Sequence, residues 1–205
     1  MKFKESDLAH KYLDGKRGIE IGGSAHNSFN LNTLNVDYTD AMDTVFKQGE
    51  KKLCGEMMKV DIVAEGDNLP FKDGAVDFVI SSHVIEHFFD PIKALKEWYR
   101  VTKRGGYVFI ICPHKDRIPG EGRPVTTVAE LAARHAGAIK TKDIVWEDGY
   151  THSSVTGLPL NDRGHFNVWN TEEFLKLCVY LNLNVVEYQD ADDKVGNGFA
   201  VVIQK

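Results

Sequence analysis

The sequence lacks the long apolar run that a membrane-spanning helix requires. Its longest apolar stretches have the length of β-strands, far short of the roughly 20 residues that cross a bilayer. The polar start of the chain also lacks the apolar core and small-residue cleavage site of a secretory signal. We therefore expect no membrane span and a cytoplasmic location.

Cysteine and clustered positive charge are also scarce. The three cysteines, Cys54, Cys112 and Cys178, are odd in number and widely spaced, which fits neither a disulfide framework nor a zinc site. We interpret them as buried reduced thiols. Lys and Arg number 25 against 30 Asp and Glu, the net charge is -5, and no basic block is present. Because nucleic-acid binding depends on neutralising phosphates, we expect no nucleic-acid partner.

The composition is that of an ordinary folded protein. The chain has 205 residues, of which 42% are hydrophobic and 27% charged, and no repeat or low-complexity tract is visible. This balance excludes a disordered, collagen-like or coiled-coil chain. The length is suited to a single domain over residues 1–205.

Apolar segments of strand length alternate with helical segments along most of the chain. The predicted helices cover about 6–13, the stretch from the N-cap Asp90 to Gly105 and Gly106, and 171–181. The predicted strands are 18–23, 34–38, 60–64, 76–82, 107–112, 185–188 and 199–203. This order predicts an α/β fold with a doubly wound, mainly parallel seven-stranded sheet. The turn at 194–198 suits a hairpin, so we expect the terminal strand to be antiparallel.

The region from about 114 to 170 interrupts this alternation. It has few strand-like runs, three X-Pro steps and four of the eight histidines. We interpret it as an insertion on the substrate side of the sheet.

Small and acidic residues follow the first three predicted strands. In an open α/β sheet, ligands bind beyond the carboxyl ends of the strands. The first strand leads into a small-residue turn that a ligand can approach closely, and Asp37 at the end of the second can accept ribose hydroxyl groups. The third leads into a polar turn that can take an exocyclic amine. The residues of the two turns are Gly22, Gly23 and Ser24, then Glu65, Gly66, Asp67 and Asn68. An adenosine group matches this set.

Each of these features alone has a plainer explanation. A glycine pair after a strand more often forms only a tight turn. An acid such as Asp37 is more often a solvated residue at a strand end, and a residue such as Glu65 usually belongs to an ordinary turn. Their occurrence in this order, at matching strand ends, favours the ligand site.

With these residues in this order, the chain resembles the class I S-adenosylmethionine-dependent methyltransferases, especially the small methyltransferase type 11 group. The similarity covers about residues 10–114 well and rests on the segments 18–24, 35–37, 65–71, 76–87 and 95–106. It implies a Rossmann-like methyltransferase fold. It also implies S-adenosyl-L-methionine as the cofactor and S-adenosyl-L-homocysteine as the product.

The resemblance also implies roles for individual residues. Glu20, Gly22 and Gly23 would flank the methionine part, Asp37 would hold the ribose, and Glu65 and Gly66 would meet the adenine. Ser82 and His83 would lie under the sulfonium, and Ser24 and Asp67 complete the predicted cofactor site. The family pattern is Gly-x-Gly-x-Gly, whereas Ser24 and His26 stand at the second and third motif glycines of this chain. That departure leaves open altered cofactor contacts or a weaker affinity.

Histidines are the natural candidates for a catalytic base. Transfer to a hydroxyl group requires loss of a proton, and imidazole titrates near neutral pH. We predict His114, His165 and His152 as the catalytic candidates. His83 and His87 are four residues apart and could share a metal ion, but a capping or packing role beside Glu86 is favoured, and no metal is predicted. His135 is interpreted as a structural residue at a helix end.

The predicted insertion also contains side chains suited to an acceptor. Arginines favour a carboxylate or phosphate, and tryptophans favour a sugar face or a hydrophobic lid: Arg117, Arg123, Arg134, Arg163, Trp146, Tyr150 and Trp169. We therefore predict O-methylation of a small sugar-like or anionic molecule, and N-methylation is the next alternative. A dinucleotide-dependent oxidoreductase and a non-catalytic S-adenosylmethionine-binding module remain as alternatives. Monomer and homodimer are both left open.

Overall fold

The computed structural model describes residues 1–140 and 164–205. Within these ranges the helices are α1 (Asp7–Leu13), α2 (Val45–Cys54), α3 (Pro91–Val101), α4 (Val128–His135) and α5 (Thr171–Tyr180). The strands are β1 (Gly18–Ile21), β2 (Thr33–Asp37), β3 (Ile62–Val63), β4 (Val76–Ser82), β5 (Thr102–Pro113), β6 (Asn184–Gln189) and β7 (Gly198–Gln204). Short 3₁₀ turns lie at Ile85–His87 and Lys115–Arg117.

The strands form one seven-stranded sheet in the order β3-β2-β1-β4-β5-β7-β6. Strands β1 to β5 are parallel, and β7 is antiparallel to both β5 and β6. This confirms the predicted fold class and the antiparallel terminal strand, which lies between β5 and β6. The chain order reverses at β1 and β4, which places a ligand crevice at their carboxyl ends.

Helices cover both faces of the sheet. On one face, Leu8 and Leu13 of α1 are buried in a cluster with Phe78 and Phe109. On the other face, the predicted stripe of α3, including Leu95 and Trp98, is buried in the larger cluster. The predicted N-cap of α3 is confirmed, because the Asp90 side chain accepts a backbone N–H bond in its first turn, and Ser6 caps α1 in the same way.

The two glycines predicted to end α3 have another role. Helix α3 ends at Val101, and Gly105 and Gly106 lie inside the long strand β5. A Cβ atom on Gly106 would lie 2.3 Å from the backbone oxygen of Asp77. The glycine is therefore required by close backbone contact with β4.

Among the described residues, no helix is both long and apolar enough to cross a membrane. All three cysteines are free thiols, and Cys112 and Cys178 are buried.

Candidate functional site

A cleft of about 900 Å³ opens at the carboxyl ends of the central strands. Its wall includes the turn after β1, the end of β2, the turn after β3 and the end of β4. Nine of the ten residues predicted to hold the cofactor line it: Gly22, Gly23, Ser24, Asp37, Glu65, Gly66, Asp67, Ser82 and His83. Asp37 and Glu65, which sequence analysis placed on separate strands, thus face a common space.

Glu20 is the exception, and its place beside the methionine part of the cofactor stays a prediction. It lies on β1 with 5% of its surface exposed and is not part of the cleft wall. Its carboxyl carbon would be 2.9 Å from a Cβ atom on Gly23, so it lies directly beneath the turn. Burial raises the pKa of Glu20 to about 7.

The glycine turn is shaped by packing against its neighbours. Gly22 has φ +67°, and a Cβ atom there would lie 2.8 Å from a methyl group of Val84. The N–H of Gly23 donates to Asn35 Oδ1 at 2.9 Å, so this amide is already engaged within the protein. Glycine is therefore needed here for backbone geometry and space as well as for ligand approach.

Helix α2 forms a wall of the cleft that sequence analysis did not identify. Lys47 and Glu50 form a buried ion pair at 3.1 Å. Lys47 Nζ donates to the Met58 carbonyl at 2.7 Å, and a Glu50 carboxylate oxygen accepts from the N–H groups of Ala25 and Met58. The signals for this helix were present, since Thr44 caps its first turn and Gly55 ends it in the left-handed conformation with φ +81°.

A polar network forms the floor of the cleft. Asn27 Nδ2 donates to Ser82 Oγ at 3.0 Å, Ser82 Oγ lies 3.0 Å from His83 Nδ1, and His83 Nε2 lies 2.9 Å from Asn197 Oδ1. Burial lowers the pKa of His83, which favours the neutral ring. Two buried atoms in this wall, His26 Nδ1 and Asn27 Oδ1, have no hydrogen-bond partner among the described residues.

Glu86, His87 and His165 meet in another part of the cleft wall. Glu86 Oε1 lies 3.9 Å from Nε2 of His87 and 3.9 Å from Nε2 of His165. The two imidazole rings contact each other edge to face with centroids 4.6 Å apart. Glu86 is fully buried, which raises its pKa to about 8.

His165 reaches this position because the 165–167 segment is bonded to the turn after β4. The Asn167 N–H donates to the Glu86 carbonyl at 3.1 Å, and Asn167 Nδ2 donates to the Phe88 carbonyl at 2.7 Å. Arg123 Nη1 donates to the His165 carbonyl at 2.7 Å. The contact between positions 86 and 165 is therefore tertiary and has no local sequence signal.

The other predicted catalytic histidines do not join this group. His114 lies outside the cleft wall, 8% exposed, and packs edge to face on Phe199 with its Nε2 atom 3.9 Å from Asp190 Oδ1. The hydrogen bonds of its backbone to Asn197 and its bridge to Trp169 hold it there. His152 lies outside the described residues. His135 has the predicted structural role, because Nδ1 lies 2.8 Å from Asp90 Oδ2.

The arginines predicted to meet an acceptor are structural where the structure describes them. Arg134 is buried and donates to Asn167 Oδ1 at 2.9 Å. Arg123 is buried and pairs with Glu121, and Arg117 pairs with Asp190. Trp169 is buried in the core. Residues Trp146, Tyr150 and Arg163 lie outside the described ranges.

The middle of the chain matches a known family model. Residues 21–110 match a model described as a methyltransferase domain. This segment includes the turn after β1, both acidic strand ends and the end of β4. Over this segment the chain is similar to the class I S-adenosylmethionine-dependent methyltransferase family. The cofactor of this family is S-adenosyl-L-methionine.

Individual proteins are similar to parts of the chain. An uncharacterised protein of Methanocaldococcus jannaschii is 31% identical over 120 residues, covering 57% of this chain and 54% of that one. A mitochondrial 2-methoxy-6-polyprenyl-1,4-benzoquinol methylase of Leishmania donovani is 37% identical over 83 residues, covering 40% of this chain and 29% of that one. The chain spans about half the length of the first of these relatives.

The likeness in fold extends over nearly the whole chain. The crystal structure of an S-adenosylmethionine-dependent methyltransferase of Thermotoga maritima superposes with a TM-score of 0.54. The match covers 96% of this chain and 86% of that chain at 18% identity. At this identity the likeness establishes the fold.

Proposed function

We propose that this protein transfers a methyl group from S-adenosyl-L-methionine to a hydroxyl group of a small acceptor, with His165 as the base. One observation carries the proposal. The predicted adenosine-binding residues Asp37 and Glu65 and the predicted base His165 line the same cleft.

The residues of the cleft fit the cofactor. In the proposal, Asp37 accepts the ribose hydroxyl groups and the Glu65–Asp67 turn meets the adenine. The floor at Ser82 and His83 takes the methionine part, where Asn27 Oδ1 is buried without a partner and can accept a bond from the amino group. A cleft of about 900 Å³ is large enough for a nucleoside and a small acceptor together.

In the proposal, the part of the cleft that contains His165 supplies the base that accepts the proton of the acceptor hydroxyl. The bound cofactor supplies an electrophilic methyl group, so the protein mainly aligns the acceptor oxygen with it. As the new C–O bond forms and the C–S bond breaks, the hydroxyl proton passes to His165, and the bonding electrons stay on sulfur. Arg123 holds the backbone of His165 and so fixes the position of the base.

Aromatic side chains in the cleft wall indicate which class of acceptor the cleft favours. Phe46, Phe89 and Phe166 line the cleft, whereas the described arginines are engaged elsewhere. We therefore favour a hydroxyl group on a flat apolar ring over the sugar-like or anionic acceptor predicted from sequence. The name of the Leishmania relative, a benzoquinol methylase, supports the same class.

Two measurements test the proposal. In calorimetric titration, wild type should bind S-adenosylhomocysteine, and Asp37→Asn should weaken binding by about tenfold or more, because it removes charge-assisted hydrogen bonds. Asp14→Asn, which changes an exposed acid after α1, is the matched control.

The second measurement is methyl transfer from labelled cofactor to a panel of phenols, quinols, sugars and amines. His165→Ala should reduce the rate of transfer about 100-fold or more, and His114→Ala should not. Absence of S-adenosylhomocysteine binding to wild type would refute the proposal. Firm binding without transfer to any acceptor would favour a non-catalytic module.

A further inference from the structure

We propose that Glu86, His87 and His165 bind a divalent first-row transition metal ion beside the acceptor. One donor atom from each side chain lies within 4.8 Å of the other two. Two of the ligands come from the turn after β4 and the third from the segment before α5. The proposal replaces the sequence prediction of no metal, which considered the pair His83 and His87.

The spacing of the three donors fits an ion better than direct contact. Glu86 Oε1 is 3.9 Å from both Nε2 atoms, which is too long for a hydrogen bond or a tight ion pair. Two ligands on a tetrahedral ion with bonds of about 2.1 Å lie about 3.4 Å apart. A shift of about half an ångström in each of the two Glu86–histidine pairs, within reach of side-chain rotation, would bring those donors to the spacing of metal ligands.

Glu86 is a buried carboxyl group that lacks a hydrogen-bond partner among the described residues. It is 1% exposed, and neither of its carboxylate oxygens has a hydrogen-bond partner in the part of the chain that the structure describes. Its neighbours at ion-pair distance there are His87 and His165, with no lysine or arginine among them. Buried carboxyl groups in proteins are hydrogen-bonded, paired or bound to metals, and a bound ion would supply the missing partner.

The ligand segments are held by bonds that do not involve the donor atoms. The N–H and Nδ2 groups of Asn167 donate to the Glu86 carbonyl at 3.1 and 3.3 Å. Arg134 in turn donates to Asn167 Oδ1 at 2.9 Å, and Arg123 donates to the His165 carbonyl at 2.7 Å. Such outer contacts position metal ligands before the ion binds.

The neighbouring histidine does not fit the site. The two ring nitrogens of His83 lie within hydrogen-bond distance of Ser82 Oγ and Asn197 Oδ1. The set is therefore two imidazoles and one carboxylate, which is typical of sites for Zn²⁺ and related ions with an open coordination position. When the ion is bound, the ligating nitrogen of His165 cannot take the proton, and the ion would instead favour loss of the proton from the acceptor hydroxyl to water. The position of the ion beside an acceptor hydroxyl rests on the proposed function, but its binding to the protein does not.

Metal binding is measured on the full chain after chelator treatment. Titration with Co²⁺, followed by its visible absorption, should saturate at one ion per chain, and Zn²⁺ should displace it. Metal analysis after gel filtration should find one Zn²⁺ per chain. Glu86→Gln and His165→Ala should each weaken Co²⁺ binding at least tenfold, whereas His114→Ala and His135→Ala should not. Circular dichroism of each variant establishes that the fold is retained.

Unchanged Co²⁺ binding in folded Glu86→Gln and His165→Ala would overturn the site, as would less than one ion per wild-type chain at saturation. Titration of the same metal-free protein with S-adenosylhomocysteine separates the two proposals. Binding of S-adenosylhomocysteine without metal binding would overturn the metal site alone. Metal binding without S-adenosylhomocysteine binding would leave the site intact and refute the methyltransferase proposal.

Discussion

Replacing Glu20 by glutamine should remove a pH-dependent loss of stability. Glu20 lies buried under the glycine turn, and burial raises its pKa from an ordinary value of 4.5 to about 7, against the opposing effects of Lys194 and the Thr33 hydroxyl. Glutamine has the same shape and stays neutral. The substitution therefore removes the titration with little change in packing.

The magnitude follows from the difference between the two states. Below pH 4.5 the carboxyl is protonated whether the chain is folded or not. Between pH 4.5 and about 7 the unfolded chain releases its proton while the folded chain retains it, so the free energy of unfolding falls. At about 1.4 kcal/mol per pKa unit, the loss approaches about 3 kcal/mol at pH 7 and is constant above it. For a chain of this length that corresponds to about 10 °C in Tm.

The assay is urea unfolding of wild type and Glu20→Gln at intervals from pH 4.5 to 8. The stability of the variant relative to wild type should rise with pH across this window and then level off. Glu172→Gln, with a side chain 77% exposed on α5, serves as the control for removing one carboxylate. The reasoning would be refuted if the stability of Glu20→Gln relative to wild type stayed constant or fell as the pH rises. Burial would then not raise the pKa of the Glu20 carboxyl group.

Two further predictions concern the cleft. Gly66→Ala should weaken S-adenosylhomocysteine binding about fivefold in calorimetry, since its Cβ atom would lie 2.7 Å from the Phe88 ring, which lines the cleft. Gly49→Ala, whose Cβ atom would lie in open space, should retain the affinity for S-adenosylhomocysteine. An equal loss of affinity in Gly66→Ala and Gly49→Ala would refute the argument. The Arg123–Glu121 pair is nearly buried, so Arg123→Met should destabilise the protein by about 3 kcal/mol or more in urea unfolding. Arg123→Met with Glu121→Met should cost less than the sum of the single changes, and strict additivity would contradict this.

The cofactor end of the cleft could be predicted from sequence because its signals are local. Each strand is followed directly by its turn, and the parallel arrangement of the strands brings those turns together at one edge of the sheet. Asp37 and Glu65 were placed correctly by that argument alone. The burial of Glu20 under Gly23 could not be predicted, because strand alternation and tertiary packing decide which side chains reach the surface of a turn.

The histidine end could not be predicted in the same way. Its geometry depends on Asn167 bonding to the turn at Glu86, 81 positions earlier in the chain. The local spacing of His83 and His87 suggested a pair, but His83 is engaged by Asn197 of the terminal hairpin. Arg123 and Arg134 looked like anion ligands from sequence, because nothing local indicates that their partners are backbone carbonyls and neighbouring acids.

The two ends of the cleft are thus built by different physical means. The cofactor end consists of strand tips whose positions are fixed by the sheet itself. At the other end, Asn167 bonds the 165–167 segment to the turn after β4, and Arg123 and Arg134 donate hydrogen bonds to the same segment. The bonds of Arg123 and Arg134 hold the segment that carries His165 and do not involve the strand tips at the other end of the cleft. Under the proposed function, residues 123–134 and 165–167 can therefore change the acceptor while the edge proposed to bind the cofactor stays the same.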